Sequence, residues 1–484
     1  FDGCYSEYVA QREIEKITEQ RNYDWTTKEI HRLEQGIEQQ RVWKKKKNKK
    51  THTLDNTRKA IERLQKNLKD PDKGPASMRF TFKACPGGAN NVLVTEDLGM
   101  SFGANKLFSG VNIHVKKGEK VFLLGPNGCG KSTLVQMLSA QLYDFLYVDL
   151  QERSGMQMLS EPELFFSNNR EKTICLDEVQ LLPELFNFLR SEIDKNRKPG
   201  RFILLGSASE KLLQHTSETL AGRIGLIDLT PFTVSEVKTH NGYSIEKYWF
   251  RGGYPDSYLA VDDEASCLWR ENFIRTYIQR DIPQLEFNIS APKMLRLLTM
   301  LAGEHGGILN SSKLASAMDI SAPTIRHYID ILEHTYIARV LPPYYKNIRK
   351  RLVKTPRFYI RDSGLLHQIL NISDFNHLLA NSIVGLSWEG LVIENVCSTV
   401  KGATASFYRS ATGVEEMDLL LEYSDKLIAI ECKSSTSPQV TEGFWKAIET
   451  LQPTYTYIVA PVTGSYKLKE NVEVIGLAKL IKIL

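Results

Sequence analysis

The run GPNGCGKS, Gly125 to Ser132, has the strongest chemical signature in this chain. It matches GxxxxGK[ST], follows an apolar strand-like run and precedes helical sequence, the context such a motif requires. Gly125, Gly128 and Gly130 let backbone amides close around phosphate, with Pro126, Asn127 and Cys129 completing the loop. Lys131 is then placed to reach the β and γ phosphates, Ser132 to ligate magnesium through its hydroxyl, and Thr133 to extend the lining. The expected ligands are ATP and Mg2+; the ordinary alternative is a chance glycine turn.

Three further groups bear on the same chemistry. In TICLDEVQ an apolar strand ends in Asp177-Glu178, which places two carboxylates at a carboxyl end, where ligands lie in open α/β sheets. Asp177 would hold magnesium through water, and Glu178 would polarise the attacking water. In FILLGSAS a strand ends in small hydroxyl residues, and Ser207 could sense the γ-phosphate or position water, unless it only makes a turn. Arg223, in LAGRIGLIDL, could be a charge-neutralising finger in cis or, in an oligomer, in trans; a plain surface arginine is the alternative.

A separate carboxylate set lies near the C-terminal end: Glu389, Asp418, Glu431 and Lys433. The period of two in a strand puts Glu431 and Lys433 on one face. Two acids and a lysine converging there could bind magnesium and activate water for phosphodiester cleavage, whereas a salt-bridged acidic sheet is the ordinary alternative.

These residues need elements to hold them. From Lys120 the apolar runs VFLLG, FLYVDL, TICLDE, FILLGS and GLIDL alternate with helical stretches, the pattern of buried parallel strands, ending near Val237. The expected core, residues 119–240, is therefore an α/β parallel sheet around a phosphate loop. Ahead of it, residues 76–118 read as short β segments, MRFTFKA, NVLVTEDL and NIHVKK. Residues 1–75 read as a helical hairpin: Ile14, Ile17, Ile30, Leu33 and Ile37 mark one helix and Ile61, Leu64 and Leu68 another. The basic tip RVWKKKKNKK lies between them; Lys44 to Lys50 suits phosphate backbones or is simply a solvated loop. Residues 241–345 are mostly helical. Within them Leu314 and Met318, the turn Asp319-Ile320-Ser321, and Ile325, Tyr328, Ile331 and Leu332 give a helix-turn-helix spacing, with a β wing after Ile337. Ser321, Thr324, Arg326 and His327 open the second helix and could touch DNA, or the module could only pack. Residues 346–484 return to α/β.

Composition bounds these readings. The 484 residues suggest about three domains, and 42% hydrophobic with 25% charged residues is ordinary globular usage. No apolar run approaches the roughly 18 residues of a membrane helix, so no membrane span is expected. No signal peptide is visible, and Phe1 in place of a start methionine fits a fragment. The net charge, 62 − 57 = +5, does not by itself argue for nucleic acid. Cys4, Cys85, Cys129, Cys175, Cys267, Cys397 and Cys432 are scattered, odd in number and lack a CxxC pair, which predicts neither disulfide scaffold nor zinc site and fits a reducing cytoplasm.

Two families are resembled. FDGCYSEYVAQRE, the basic arm and DLGMSFGANKLFSGVNIHVKKGEKVFLLGPNGCGKSTL, together residues 1–138, resemble an ABC-F protein from its interdomain linker into its second cassette. That resemblance implies that Phe102 stacks on adenine and that the arm reaches toward transfer RNA on a ribosome. Residues about 143–484 resemble prokaryotic AAA-type ATPases with a C-terminal restriction-endonuclease-like domain of unknown function. The matching stretches include FLYVDL, LSEPELFF, ICLDEVQLLPELF, RFILLGSAS, RGGYPDSYL, YIQRDI, WEGLVIENV and AIECKSS. No LSGGQ-type signature occurs, and SAS stands where a cassette would show a histidine. The implied ATPase core is thus the AAA-type one with an ABC-F loop in frame, as in a fusion or a sequence join. The expected function is a cytoplasmic P-loop ATPase coupled to a winged helix and a nuclease-like domain on nucleic acid. An ABC-F-like ribosome-associated fragment and a magnesium-dependent DNA nuclease remain the alternatives.

Overall fold

A computed structural model describes residues 91–102, 105–116, 121–139, 144–195, 200–206, 220, 224–240, 242–284, 289–344 and 355–484, all within the compact unit Gly88–Leu484. The basic arm over 1–75, Ser207 and Arg223 lie outside the described residues. Asn91–Phe102 (β1) and Asn105–Lys116 (β2) form an antiparallel ribbon with several register shifts. Its strands are longer than the short segments the sequence suggests. Phe102 closes β1, and its side chain is not among those described.

Val121–Leu124 (β3), Phe145–Asp149 (β4), Thr173–Asp177 (β5), Phe202–Gly206 (β6) and Gly225–Asp228 (β7) build a parallel sheet in the order β4-β5-β6-β3-β7. A parallel sheet around the phosphate loop is what the alternating apolar runs predict. Its inner strands are nearly continuous apolar runs because helices cover both faces. Phe122, Leu124, Ile174, Leu176, Phe202 and Leu204 pack with Phe166 and Leu189 on one side. Leu123, Cys175, Ile203 and Leu205 pack with Leu134 and Val135 of the helix Lys131–Ser139 on the other. Successive residues thus alternate between two dry layers, and the sheet is held from both sides.

A second, larger core draws residues from Val234 to Ile481. It contains the helices Ile245–Arg251, Asp263–Thr276 and Ala291–Gly303. A π-helical turn, Tyr277–Asp281, follows the second of these. The expected helix-turn-helix is Ser311–Met318 and Ala322–His334, with Asp319 between them at φ 55. Asn310 and Ser321 cap the two helices by accepting the amides of Lys313 and Thr324. Ala338–Leu341 (β8) then pairs antiparallel with Arg357–Ile360 (β9), so the ladder spans the chain on both sides of residue 345.

The C-terminal sheet is mixed, in the order β10-β11-β12-β13-β15-β14. Its strands are Thr404–Arg409 (β10), Glu416–Glu422 (β11), Leu427–Cys432 (β12), Tyr455–Ala460 (β13), Ser465–Lys469 (β14) and Val472–Gly476 (β15). One face joins the large core through Ile428, Ile430 and Val459; the other forms its own with Ala429, Ile458 and Phe444. The helix Val384–Thr399 crosses the first face and is pinned by Trp388 Nε1 donating to Val459 O at 3.0 Å. No described helix is long and apolar enough to cross a membrane.

Candidate active site

The loop after β3 is tightly shaped. A Cβ at Gly125 would lie 2.2 Å from the carbonyl oxygen of Leu229, so only glycine lets β3 run this close to the segment after β7. Gly128 and Gly130 have φ 76 and 98, the left-handed region that glycine occupies without strain. Leu134 N donates to Gly130 O at 2.9 Å, which starts the helix immediately beyond the loop. Amides at its N-terminus therefore face the loop cavity, as phosphate binding needs.

Lys131 is buried, and its Nζ donates to Gly125 O at 2.8 Å and Pro126 O at 2.9 Å. The ammonium thus lies over the loop's own carbonyls. Phosphate oxygens are stronger, charged acceptors for the same group. Ser132 Oγ donates to Asp177 Oδ2 at 2.9 Å, and Tyr147 OH donates to the same oxygen. The other oxygen of Asp177 accepts Glu178 N at 2.8 Å. Ser132, Asp177 and Glu178 are therefore brought together beside Lys131. A hydroxyl and a carboxylate in contact are the oxygen donors that magnesium takes with nucleotide, so the residues fit Mg2+ and ATP. Cys129 is buried, and that burial pushes its thiol up, so it is inert loop packing.

Glu178 is held at φ 55, ψ 43, a left-handed conformation rare for a non-glycine residue. Its carboxylate accepts from Gln180 Nε2. Burial pushes the carboxyl up; the Gln180 hydrogen bond opposes that, and the charge of Asp177 adds to it. A carboxyl raised in this way is nearer the range useful to a general base.

The helical region covers the loop. A Cβ on Gly128 would meet Trp269 Cζ2 at 3.5 Å and Phe273 Cε2 at 3.7 Å. Trp269 and Phe273 stack with ring centroids 5.2 Å apart, and Tyr254 tilts against both. Asn127 Nδ2 donates to Asp281 Oδ2 at 2.7 Å, and Arg280 Nε donates to Asp281 Oδ1 at 2.9 Å. Sequence reasoning missed Tyr147, Arg280 and Asp281. The stretches FLYVDL and YIQRDI hold them but give no hint of their partners.

The C-terminal carboxylates also meet. Lys433 Nζ donates to Glu431 Oε1 at 2.7 Å, and Asp418 Oδ2 accepts Cys432 N at 2.9 Å. Glu389 Oε1 accepts Tyr359 OH at 2.6 Å and Arg357 NH1 at 2.9 Å. The Arg357 guanidinium lies between Glu389 and Asp418, 3.4 Å from Asp418 Oδ1, and also pairs with Glu416. Burial pushes both Glu389 and Glu431 up, with the charge of Asp418 adding to each. Among the described residues, no group of three or more His, Cys, Asp and Glu is arranged to hold a metal ion. What the four expected residues form is a charged cluster in which Lys433 pairs with Glu431, and Arg357, which the sequence did not flag, pairs with Glu389 and Asp418. Of the helix-turn-helix residues, Ser321 and Thr324 cap their helix, and Arg326 and His327 are exposed.

Comparison with known proteins matches separate segments of the chain to different families. Residues 117–238 match an AAA domain, 242–376 a domain of unknown function (DUF8612) and 384–480 another (DUF4143). Residues 1–82 match a family described as ABC transporter. The chain is 35% identical over 352 residues to the uncharacterized protein Mb2031c of Mycobacterium bovis, covering 73% of this chain and 78% of that one. It is 28% identical over 160 residues to the ribosome protection protein VmlR of Bacillus subtilis, covering 29% of each. A likeness to cbiO1 from Clostridium perfringens, part of an ABC transporter complex, spans 42% of this chain and all of that one, at 14% identity and a TM-score of 0.20. At that TM-score it carries no structural argument.

Proposed function

This chain belongs to the AAA-type ATPases that carry DUF4143 at their C-terminal end, next to an ABC-F-like segment, and from that premise we propose that it is an ATP-hydrolysing switch acting on nucleic acid. The grouping of Lys131, Ser132, Asp177 and Glu178 carries the ATP assignment. Lys131 turns from its loop carbonyls to the β and γ phosphates. Ser132 and Asp177 hold magnesium, which neutralises charge on the phosphate oxygens when bound. Glu178 orients the attacking water. Ser207 would add a γ-phosphate contact.

Two contacts support coupling to the helix-turn-helix. Asp281, at one end of the π-helical turn, meets the phosphate loop through Asn127. Tyr277, at the other end, hydrogen-bonds Thr335 Oγ1 at 2.6 Å, just past the helix Ala322–His334. A nucleotide that moves one end moves the other. ATP turnover by the wild type and by Lys131→Ala, each with and without duplex DNA, tests this. Turnover lost in the variant and altered by DNA is expected. Absence of turnover in the wild type would sink the ATPase assignment, and indifference to DNA would sink the coupling.

A second reading has its own support, the similarity of residues 1–82 and of the 160-residue stretch to ABC-type and ribosome-protection proteins. It requires salt-sensitive cosedimentation with ribosomes that disappears when Lys44–Lys50 are deleted. Cosedimentation unchanged by the deletion would refute it.

A further inference from the structure

We propose that Arg280 is the residue of this chain that contacts the terminal phosphate of a bound nucleoside triphosphate, in cis, with Asp281 as its resting partner. This rests on the ATP-binding reading above. Lys131 marks where the β and γ phosphates belong, because its Nζ is held at the carbonyls of Gly125 and Pro126. Asn127 follows those carbonyls directly, and its side chain reaches Asp281 Oδ2 at 2.7 Å. Arg280 Nε holds the other oxygen of that carboxylate at 2.9 Å. One carboxylate therefore separates the guanidinium from the phosphate-facing end of the loop.

The arrangement suits exchange of partners. The Arg280 side chain is 53% exposed, so it can swing, whereas Asp281 is buried against the loop at 11%. A triphosphate brings negative charge towards Asp281 and offers the guanidinium several oxygens in place of one carboxylate. Arginine's planar fork binds phosphate in two-bond geometry, which a single Nε bond to Asp281 does not use. Placed there, its charge offsets that on the γ oxygens as the bond from γ phosphorus to the bridging oxygen breaks and the bond to water forms. The π-helical turn that ends in Asp281 carries both side chains, with Asp281 meeting the loop through Asn127 and Arg280 held on Asp281. Arg223, the candidate read from sequence for this role, lies outside the described residues, and the two arginines make different predictions.

The test uses the full chain and calorimetric titration with ADP and with the non-hydrolysable analogue AMP-PNP. For Arg280→Ala, ADP affinity should stay at the wild-type value, which also reports an intact fold. AMP-PNP affinity should fall about 10-fold and turnover by about 10³-fold, as for loss of an arginine at the γ-phosphate. Arg280→Lys should recover AMP-PNP affinity in part. Equal affinities of wild type and Arg280→Ala for AMP-PNP, or an equal fall for both nucleotides, would overturn the proposal while leaving ATP binding intact. A wild type that binds neither nucleotide would instead overturn the ATP-binding reading itself. Mixing Arg280→Ala with Lys131→Ala should restore no turnover; restored turnover would show an arginine supplied in trans and overturn the cis assignment.

Discussion

Glu178 shows how one residue can be both strained and useful. Its left-handed backbone costs on the order of 1 kcal/mol for a side chain with a Cβ, and the strain is placed beside the carboxylate that would meet water. Glu178→Gly should therefore raise stability by about 1 kcal/mol in a urea titration while abolishing turnover. A loss of stability would mean that the Gln180 contact outweighs the strain. The grouping of Lys131, Ser132, Asp177 and Glu178 was legible in sequence because strand ends and motif spacing are local properties. Tyr147 and Asp281 were not, because their partners lie 30 and 154 residues away and no spacing rule links them.

At the scale of elements, the half-buried Glu394 of the helix Val384–Thr399 ties that helix to β8 and to the residue just after β9. Glu394 accepts Arg339 Nε at 2.8 Å, Arg361 Nε at 2.9 Å and Arg361 NH2 at 2.7 Å. Burial works against ionisation, but Arg339 and Arg361 override it and hold the carboxyl at about 2. A carboxyl lowered on folding stabilises above its unfolded value of 4.5 and loses that contribution as pH falls towards 2, on the order of 3 kcal/mol in total. Glu394→Gln should flatten the stability profile between those pH values, and an unchanged slope would dissociate the network from acid lability. A neighbouring network depends on Arg357 in the same way. Removing it leaves Glu389 and Asp418 facing each other with no cation between them, so Arg357→Ala should cost about 3–5 kcal/mol by denaturant titration. A change below 1 kcal/mol would show that the carboxyls simply take up protons. The period of two correctly placed Glu431 beside Lys433. The arginine escaped notice because it arrives on β9, a strand whose pairing with β8 crosses the expected boundary near residue 345.

Across the whole molecule, the phosphate-loop sheet has its own dry layers, whereas the helical region from Val234 onward and one face of the C-terminal sheet share a core, the other face having its own. Parallel order, loop and helix-turn-helix could be anticipated because each follows from local pattern. The shared core could not, since apolar residues in separate segments do not announce which of them meet. His305 and His367 lie inside that core, hydrogen-bonded to Leu386 O and Phe250 O, and burial lowers both to about 3. A histidine lowered on folding stabilises above its unfolded value of 6.5 and loses that contribution as pH falls towards 3. Between pH 6.5 and 5 the two should together lose about 3 kcal/mol, read as a lower urea midpoint at pH 5. A midpoint that does not move would show that the histidines reach water in solution.

The central claim is that Glu178 works on a nucleotide held by Lys131 and Ser132. It is tested by ATP turnover and ATP affinity of the wild type against Glu178→Gln. Turnover should fall by at least about 10²-fold with affinity unchanged, because the substitution removes the base and leaves the loop intact. Equal turnover in the two proteins would remove Glu178 from the reaction.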